Sequence, residues 1–457
     1  MFNSVHSSWQ IFISSLVGLL LLIASGVPVI ADQYTIIDLG TLGGSWSGAA
    51  DINDANVVVG SSAIQSSARR AFIWDGEIMH DLGTPEGYAV SGATAINNSG
   101  WITGYTEGEF QSQYAYLYRD EAWEYLGTLP QWDYSVATDI NNAGHIIGYS
   151  FELGPSGGSL GWLWENGAMS VLGPLGGEDS HASAINDMME IVGFAQIYDP
   201  EDYINHACLW VQDAIIDLGV LPGETKSAAS DINDIGQVCG SSSHQQITYP
   251  FLTVTVPCLW DDGEIIELEL PPGYARGVTT GLNNNGQVIG WMKTSLSGGN
   301  SRAFIWEDSV LTNLNSLIPP GSGWVIETAS EITDDGKIVG TGEAPNGETH
   351  GYMLIPEVTG ISESEQQSLP NEYVTVVNYP NPFNNRTNIE YSLPTSSWVR
   401  IEVFDILGRK IETLLDTKQA AGNHLTAWDA TGHSSGAYYY RLQAGDLSEV
   451  RMMTLLK

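Results

Sequence analysis

The sequence predicts an all-β protein in which a seven-bladed β-propeller precedes a small β-sandwich. Each repeat contains an Ile-Asn turn, a short apolar strand ending in Gly, an aromatic-rich strand ending in Trp, and an Asp-Leu-Gly segment or a variant of it. The pattern occurs seven times with a period of 44 to 50 residues, and it is replaced by a different pattern after residue 372. Several short strands per unit at such a period are typical of propeller blades. The turns begin at Ile52, Ile96, Ile140, Ile185, Ile232, Leu282 and Ile332.

The turn between the first two strands of each repeat has its own chemistry. In the third repeat, Asn141-Asn142-Ala143-Gly144 predicts a type I turn followed by a position with positive φ. Gly occupies this last position in five repeats, whereas Asn56 and Met189 occupy it in the first and fourth repeats. Asn tolerates the left-handed conformation best after Gly. At Met189 we therefore expect either strain or a different bend.

The last repeat lacks a fourth strand of its own. The first six repeats each supply one, but the seventh ends at Gly351-Tyr352-Met353-Leu354-Ile355-Pro356. The segment Ile36-Ile37-Asp38-Leu39-Gly40 duplicates Ile215-Ile216-Asp217-Leu218-Gly219. We therefore predict that residues 34–40 complete the blade built mainly from residues 326–356. Closing the ring in this way hides sheet edges that would otherwise be exposed.

Four segments are predicted along the chain: a signal peptide (1–31), a seven-bladed β-propeller (32–356), a linker (357–372) and a C-terminal domain (373–457). The apolar run from Ile11 to Ile23, followed by Val29-Ile30-Ala31, is typical of an export signal. A retained N-terminal anchor is the alternative. The linker is rich in Glu, Ser and Gln and contains Gly360 and Pro370.

The charge of the chain disfavours nucleic acid as a partner. The net charge is −38, and acidic and basic residues cancel from Tyr373 onward, so the whole excess lies earlier. Such a surface repels phosphate backbones. It could attract cations or basic partners, and it also favours solubility. We expect a monomer.

Metal and disulfide chemistry have little support in the sequence. Cys208 and Cys258 occupy the same place in neighbouring repeats, where Phe72 and Phe304 stand in others, which indicates small buried residues. A bridge between Cys239 and Cys258 is the alternative. The Asp-Ile-Asn-Asp stretches lack the ligand spacing of a calcium loop, so we expect neither a metal nor a cofactor.

The repeats resemble those of bacterial extracellular proteins with HAF repeats. The resemblance covers about residues 34–356 and depends on Asp38-Leu39-Gly40-Thr41-Leu42-Gly43-Gly44, the Ile-Asn turns and Ala71-Phe72-Ile73-Trp74. The His-Ala-Phe tripeptide that gives these repeats their name is imperfect here. Cys208 follows His206-Ala207, and Gly351-Tyr352 follows His350. The resemblance implies a secreted repeat protein and no particular activity.

The C-terminal segment alternates like a set of about seven short strands, which predicts a small β-sandwich. It resembles the type IX secretion system sorting domain (type A), with an Ig-like fold similar to the FlgD type. The matching stretches are Tyr379 to Asn384, Val403 to Arg409, Ala421 to His424 and Gly436 to Leu442. The resemblance implies recognition by the type IX secretion machinery and release or attachment outside the cell. The sorting residues it implies are Pro380, Asn381, Pro382, Phe383, Gly408, Arg409, Gly436, Tyr438, Arg441 and Lys457.

A ligand site is predicted where the blade-to-blade connections meet the loops between second and third strands. These connections vary most and are rich in aromatic residues and carboxylates, a combination that suits a sugar or a peptide. The alternative is that the rings fill gaps between twisted blades. The ligand-binding candidates are Trp46, Tyr88, Trp132, Tyr134, Tyr203, Tyr274 and Trp324.

The function predicted from these features is a secreted or cell-surface binding module for a carbohydrate or protein ligand, not an enzyme. No nucleophile elbow, zinc-protease motif or phosphate loop is present, so no catalytic residue is assigned. A carbohydrate-active enzyme, either hydrolase or lyase, using acids on the loop-rich face is the first alternative. A purely structural cell-surface protein is the second.

Overall fold

The computed structural model describes most of the chain. The described residues are 34–108, 112–152, 158–199, 203–212, 214–245, 252–357, 375–379, 383, 385–393, 396–405, 409–420, 422–444 and 447–455. The predicted signal peptide, most of the predicted linker, and Pro380, Asn381, Pro382, Gly408 and Lys457 lie outside them. Two compact units are separated between Val358 and Thr359. No helix among the described residues is long and apolar enough to cross a membrane.

The first unit is all-β apart from a single turn of 3-10 helix at Leu314–Ser316 among the described residues. Its strands up to the fourth repeat are β1 (Tyr34–Asp38), β2 (Gly43–Ile52), β3 (Val58–Ile64), β4 (Arg69–Trp74), β5 (Met79–Gly83), β6 (Val90–Ile96), β7 (Ile102–Glu107), β8 (Gln113–Arg119), β9 (Ala122–Tyr125), β10 (Tyr134–Ile140), β11 (Ile146–Phe151), β12 (Ser159–Glu165), β13 (Ala168–Leu172), β14 (Gly176–Ile185), β15 (Glu190–Ile197), β16 (Ile204–Val211) and β17 (Ala214–Gly219). The later ones are β18 (Lys226–Ile232), β19 (Val238–Gln245), β20 (Thr253–Asp261), β21 (Glu264–Glu267), β22 (Arg276–Leu282), β23 (Val288–Lys293), β24 (Ser301–Glu307), β25 (Val310–Asn313), β26 (Val325–Ile332), β27 (Ile338–Glu343) and β28 (Thr349–Pro356).

Each repeat forms one antiparallel four-stranded sheet, as in a propeller. Repeats 1 to 6 are β2–β5, β6–β9, β10–β13, β14–β17, β18–β21 and β22–β25, and repeat 7 is β26–β28 with β1. A single parallel bridge between Trp46 and Thr349 joins the sheets of repeats 7 and 1. Hydrophobic clusters lie between neighbouring sheets, so the core of the unit is divided among the repeat boundaries.

The predicted partner of the last repeat is confirmed. β1 pairs antiparallel with β28, and Ile36 lies opposite Leu354 while Ile37 lies opposite Met353. Ser47 at the start of repeat 1 then contacts Gly40, two residues after β1, and Gly351 in β28. Its hydroxyl donates to the carbonyl of Gly40 at 2.6 Å and accepts from the N–H of Gly351 at 2.9 Å. The first and last repeats are therefore joined by strand pairing and by side-chain hydrogen bonds.

The Ile-Asn turns adopt the predicted conformation, including the two exceptional ones. Gly144 has φ 85°, Asn56 has φ 63° and Met189 has φ 64°. Met189 thus follows the same bend as glycine and carries the strain expected of a side chain in the left-handed region. Its sulfur lies 3.7 Å from the Asn141 amide nitrogen of the preceding repeat, a contact that glycine could not make.

All three cysteines are buried and free. Cys239 lies opposite Leu259, whereas Cys258 lies opposite Gly240 on the same pair of strands. Because successive residues of a strand face opposite sides of the sheet, Cys239 and Cys258 point away from each other. The structure therefore does not contain the bridge considered above, and burial raises the pKa of the Cys258 thiol to about 12.

The second unit consists of two sheets over one core. Tyr391, Trp428, Tyr440 and Met453 from both sheets meet in that core. Tyr438 and Tyr440 are buried while Tyr439 between them is exposed, as the two-residue period of a strand requires. One sheet has the order β29-β30-β33 and the other β32-β31-β34-β35, with β29 (Thr375–Tyr379), β30 (Arg386–Leu393), β31 (Ser397–Asp405), β32 (Lys410–Gln419), β33 (Gly422–Asp429), β34 (Gly436–Ala444) and β35 (Leu447–Leu455).

Candidate functional site

The repeats give the first unit two chemically different ends. In repeat 3, β10 begins at Tyr134, next to the connection between β11 and β12, and the Ile-Asn turn lies at the other end of β10. We call the first end the loop end and the second the turn end. The same arrangement holds in each repeat because all have the same antiparallel order.

A polar cavity of about 550 Å³ lies where the first strands of all the repeats meet. Its walls come from equivalent positions in every repeat, so it occupies the centre of the unit and lies toward the turn end. The lining segments are 50–54, 94–98, 138–142, 183–187, 230–234, 280 with 282–284, and 330–334.

Four of the carboxylates that line this cavity occupy the same position of the repeat. Every first strand has a bulge just before the Ile-Asn turn, for example between Ala137 and Asp139. A bulge redirects the side chains beside it. The residue after the bulge alternates between acidic and small along the chain: Asp51, Ala95, Asp139, Ala184, Asp231, Gly281 and Glu331.

Three of these carboxylates link neighbouring repeats. Asp51 accepts hydrogen bonds from the N–H of Ile52 at 2.6 Å and from the N–H of Ile96, in the next repeat, at 2.7 Å. The same two bonds recur for Asp139 with Ile140 and Ile185, and for Asp231 with Ile232 and Leu282. Both oxygens of each group are therefore engaged by backbone donors, which assigns them a structural role.

Glu331 differs from the other three. One oxygen accepts from the N–H of Ile332 at 2.9 Å, and the other has no hydrogen-bond partner among the described residues. A Cβ atom at Gly281 would lie 3.4 Å from either oxygen. Glycine at that position therefore leaves room for the carboxylate between repeats 6 and 7.

Burial in the cavity raises the pKa of these carboxyl groups, and repulsion among them adds to the effect. The pKa of Asp51 is raised to about 8, that of Asp139 to about 6 and that of Asp231 to about 7. The pKa of Glu331 is raised well above its usual value for the same reasons. Desolvation disfavours the charged form, and nearby like charges disfavour it further.

A ladder of asparagine amides crosses the turn end. The side-chain amide of Asn53 donates to the carbonyl of Asn97 at 3.1 Å, while its oxygen accepts from the N–H of Ala55 and Val57 in its own turn. Equivalent bonds continue from repeat to repeat through Asn97, Asn141, Asn186, Asn233 and Asn283 to the carbonyl of Thr333. Thr333 has no amide to donate, so this bond is missing between repeats 7 and 1.

The described residues contain no group of three or more His, Cys, Asp or Glu side chains arranged to hold a metal ion. In the cavity the carboxylate oxygens of Asp51, Asp139 and Asp231 are occupied by N–H donors. The cavity thus has the charge that a cation requires, but within the described chain it lacks the converging ligands.

The loop end carries a continuous run of rings that includes two predicted site residues. Tyr88 lies 5.8 Å from Tyr114, and Tyr114 lies 6.3 Å from Tyr134, all between ring centroids. The run spans repeats 2 to 4 in the order Tyr125, Tyr88, Tyr114, Tyr134, Phe151, Tyr149, His181 and Phe194. Burial lowers the pKa of His181 to about 4, so it stacks as a neutral ring. Tyr88 and Tyr134 therefore belong to one run of rings, joined through Tyr114.

The other predicted aromatic residues occupy separate places. Trp46 is 36% exposed and covers Gly48, beside Thr341 of the last repeat. Trp132 packs on the cluster between repeats 2 and 3, and Trp324 packs edge-on against His350 and Tyr352. Tyr203 donates its hydroxyl to Asp179, and burial together with that bond raises its pKa to about 12. Tyr274 accepts a hydrogen bond from the Asn313 amide at 3.1 Å.

The four carboxylates that follow the bulges are not among the residues predicted from the sequence to form a site. The sequence does contain a pattern that could have identified them. When the seven repeats are aligned on the first residue of the turn, the preceding residue alternates between acidic and small. Asp51 and Asp231 begin the Asp-Ile-Asn-Asp stretches, which lack the ligand spacing of a calcium loop. The sequence does not indicate that these side chains accept hydrogen bonds from the following repeat.

In the C-terminal unit, several of the residues predicted to act in sorting make contacts within the unit. Phe383 is buried against Trp428, and the hydroxyl of Tyr438 donates to the carbonyl of Ser434 at 2.7 Å. Arg441 pairs with Glu402 at 2.8 Å. Gly436 has φ 146°, a conformation that favours glycine, and Arg409 is exposed.

Several solved structures are distantly similar to this chain. PorZ, an essential surface component of the type IX secretion system of Porphyromonas gingivalis, is 11% identical with a TM-score of 0.39; the match covers 89% of this chain and 59% of PorZ. YCF48 bound to D1 peptide is 11% identical with a TM-score of 0.40 (71% of this chain, 96% of that one). A gluconolactonase from Xanthomonas campestris is 14% identical with a TM-score of 0.33 (71% and 95%). No function is inferred from likenesses at these TM-scores.

Two family models match parts of the sequence, whereas a search of curated proteins found no match. Residues 178–350 match a family described as a protein of unknown function (DUF3466). Residues 377–455 match the secretion system C-terminal sorting domain. The chain thus carries a C-terminal type IX sorting domain, which indicates secretion to the cell surface or the extracellular space.

Proposed function

We propose that the first unit closes into a seven-bladed β-propeller that works outside the cell as a binding module for a glycan or a protein. We further propose that the C-terminal unit has an Ig-like fold and engages the type IX machinery during export. Support for closure comes from the pairing of β1 with β28 and from the hydrogen bonds of Ser47 to Gly40 and Gly351.

The run of aromatic rings at the loop end supports binding more than any other feature. It presents half-buried ring faces and phenol groups from repeats 2 to 4, and Tyr125 at one end of it is 46% exposed. Ring faces bind the apolar faces of sugars, and tyrosine hydroxyls supply hydrogen bonds. The test is a glycan array with the full secreted chain, followed by titration of the best ligand.

In that titration, Tyr88→Ala with Tyr134→Ala should weaken binding about tenfold or more, the equivalent of about 1.4 kcal/mol. Tyr439→Ala, an exposed aromatic residue on the C-terminal unit, is the matched control and should leave affinity unchanged. Equal loss in both variants would contradict a binding face at the loop end. No ligand among glycans and extracellular proteins would favour the purely structural alternative.

The enzyme alternative has one feature in its favour. Asp51, Asp139, Asp231 and Glu331 cluster in one cavity with raised pKa values, a pattern enriched at catalytic sites. This cluster lies toward the turn end rather than on the loop-rich face. Release of products from a panel of acidic and neutral polysaccharides, abolished by Glu331→Gln, would support it. Absence of products throughout would contradict it.

Export is tested separately from binding. A chain that ends before the sorting domain should accumulate inside the outer membrane, whereas the full chain should appear outside the cell. Secretion of the shortened chain at the level of the full one would contradict the proposed role of the tail.

A further inference from the structure

We propose that repeat 6 carries a subsite for the carboxylate of an acidic sugar at the loop end, formed by Arg276, Trp291, Lys293 and Ser301. This inference rests on the proposed binding function, because it names the class of ligand for the same end of the molecule. None of these residues belongs to the run of rings in repeats 2 to 4.

Strand register places the four side chains on one face of the sheet. Lys293 on β23 lies opposite Arg276 on β22 and opposite Ser301 on β24. Residues directly opposite one another across a sheet share a face, and so do residues two apart on a strand. Trp291 therefore lies beneath this row, flanked by Val278 and Ala303.

Both cations gather on the tryptophan ring. The Cζ atom of Arg276 lies 5.7 Å from the centroid of Trp291, and the Nζ atom of Lys293 lies 5.2 Å from it. Like charges directly opposite each other on antiparallel strands destabilise a sheet. Cation–π contacts offset part of this repulsion, but they leave both positive charges in place.

Neither cation forms an ion pair among the described residues, although the chain contains 54 acidic residues and only 16 Lys and Arg residues. Three other cations of this unit do form such pairs: Arg69 with Glu107, Arg119 with Glu124 and Lys337 with Asp335. Arg70 and Arg302 instead donate to backbone carbonyls. With acidic residues so abundant, an unneutralised pair of cations on one ring indicates that the neutralising anion comes from outside the chain.

Two buried polar atoms beside this pair also lack partners. Nε of Arg276 and Oγ of Ser301 are both shielded from solvent and form no hydrogen bond among the described residues. A buried donor left unpaired lowers stability, so such atoms are uncommon without a reason. A carboxylate placed over this row would accept from the guanidinium and the ammonium, and from the Ser301 hydroxyl once that side chain turns toward the ligand.

The surroundings favour a sugar as the carrier of that carboxylate. The adjoining connection, residues 294–300, contains hydroxyl and amide side chains, one leucine, two glycines and no charged residue. Such a loop can meet the hydroxyl groups of a sugar but provides no cation for further anionic groups. A net charge of −38 also disfavours ligands with densely spaced charges, such as polyphosphates. The expected ligand is therefore a glycan with isolated uronic acid residues.

The test compares two disaccharides by titration calorimetry with the full secreted chain. One ends in glucuronate and the other in glucose, so they differ only where a carboxylate replaces a hydroxymethyl group. We expect at least tenfold tighter binding of the glucuronate form, and that preference should shrink as salt is raised. Arg276→Gln with Lys293→Gln should remove the preference, whereas Arg119→Gln, a control at the turn end, should retain it.

Equal affinity for the two disaccharides, or an unchanged preference in the double variant, would overturn the subsite. Tighter binding of inorganic phosphate or of an acidic peptide would overturn the choice of an acidic sugar. If the double variant fails to fold, Lys293→Gln alone and the salt dependence of the native chain test the subsite. An unchanged preference for glucuronate in both measurements would overturn it. Binding of neutral glycans without any preference for uronate would leave the proposed binding function standing while the subsite fails.

Discussion

The hydroxyl of Ser47 accepts a hydrogen bond at 2.9 Å from the N–H of Gly351, which lies 304 residues later in the chain. The same hydroxyl donates to the carbonyl of Gly40. Ser91 makes the equivalent pair of bonds with Ala71 and Gly83 at the boundary between repeats 1 and 2. The boundary between the last and first repeats is therefore built like an internal one.

Removing the Ser47 hydroxyl should destabilise the first unit as much as removing that of Ser91. Each Ser→Ala change leaves a buried N–H and a carbonyl unpaired, which costs about 1–3 kcal/mol. Chemical denaturation of the two variants beside the native chain measures the effect. A loss for Ser91→Ala with no loss for Ser47→Ala would show that the ring is open in solution.

Thr333→Asn should stabilise the protein. Asparagine at this position would complete the ladder by donating to the carbonyl of Asn53, while its oxygen could accept from the N–H of Lys337 as the threonine hydroxyl does now. One added hydrogen bond is worth about 0.5–1.5 kcal/mol. The reverse change at an internal boundary, Asn97→Thr, should cost a similar amount. A lower unfolding temperature for Thr333→Asn would contradict this geometry.

The cavity carboxylates should make the first unit less stable as pH rises. Their pKa values in the folded state, about 6 to 8 for Asp51, Asp139 and Asp231, exceed those of an unfolded chain. Between about pH 4 and pH 8 the folded state therefore binds more protons than the unfolded state, and stability declines through that window. The stabilisation is fully present below the unfolded pKa and is lost once pH passes the folded values.

Free energies of unfolding measured from pH 4.5 to pH 8.5 test this prediction. Replacing Glu331 by Gln removes one ionisable group from the cluster and should flatten the decline. Glu121→Gln, a change on an exposed turn, should not. Stability that rises across this range in the native chain, after correction for the C-terminal unit, would contradict the assignment.

In the C-terminal unit, Glu402 should matter more than the exposed Asp416. Glu402 is 6% exposed and pairs with Arg441 at 2.8 Å and with Lys410 at 3.0 Å, and these partners lower its pKa. Glu402→Gln should cost about 1–3 kcal/mol because it leaves the arginine without its charged partner. Asp416→Asn, which breaks the exposed pair with Arg400, should have a much smaller effect, because solvent screens that pair.

The contribution of Glu402 should also disappear as pH falls through its lowered pKa, in the opposite sense to the cavity groups. Thermal unfolding of the full chain, followed by probes in each unit, separates the two. Equal losses of unfolding free energy in Glu402→Gln and Asp416→Asn would contradict the prediction that the buried ion pair contributes more than the exposed one.

Several features were predictable because they depend on local pattern. The duplication of Asp-Leu-Gly at residues 38–40 predicted the partner of β28, since a strand that repeats the fourth-strand pattern must bury the same face. Positive φ at Asn56 followed from the turn chemistry, and so did a constraint at Met189. The alternation of Tyr438, Tyr439 and Tyr440 followed from the period of a strand.

The sequence by itself thus determined the strands, the turns, the joining of the two ends of the repeat array and the sorting tail. Only the tertiary structure decided which distant side chains meet: Asp51 with the N–H of Ile96, the Asn53 amide with Asn97, Tyr88 with Tyr134 through Tyr114, and Arg276 with Lys293 over Trp291. The physical reason is that strand pattern is set within a few residues. Contacts between repeats depend instead on the register of each sheet and on how closely neighbouring sheets approach around the central cavity.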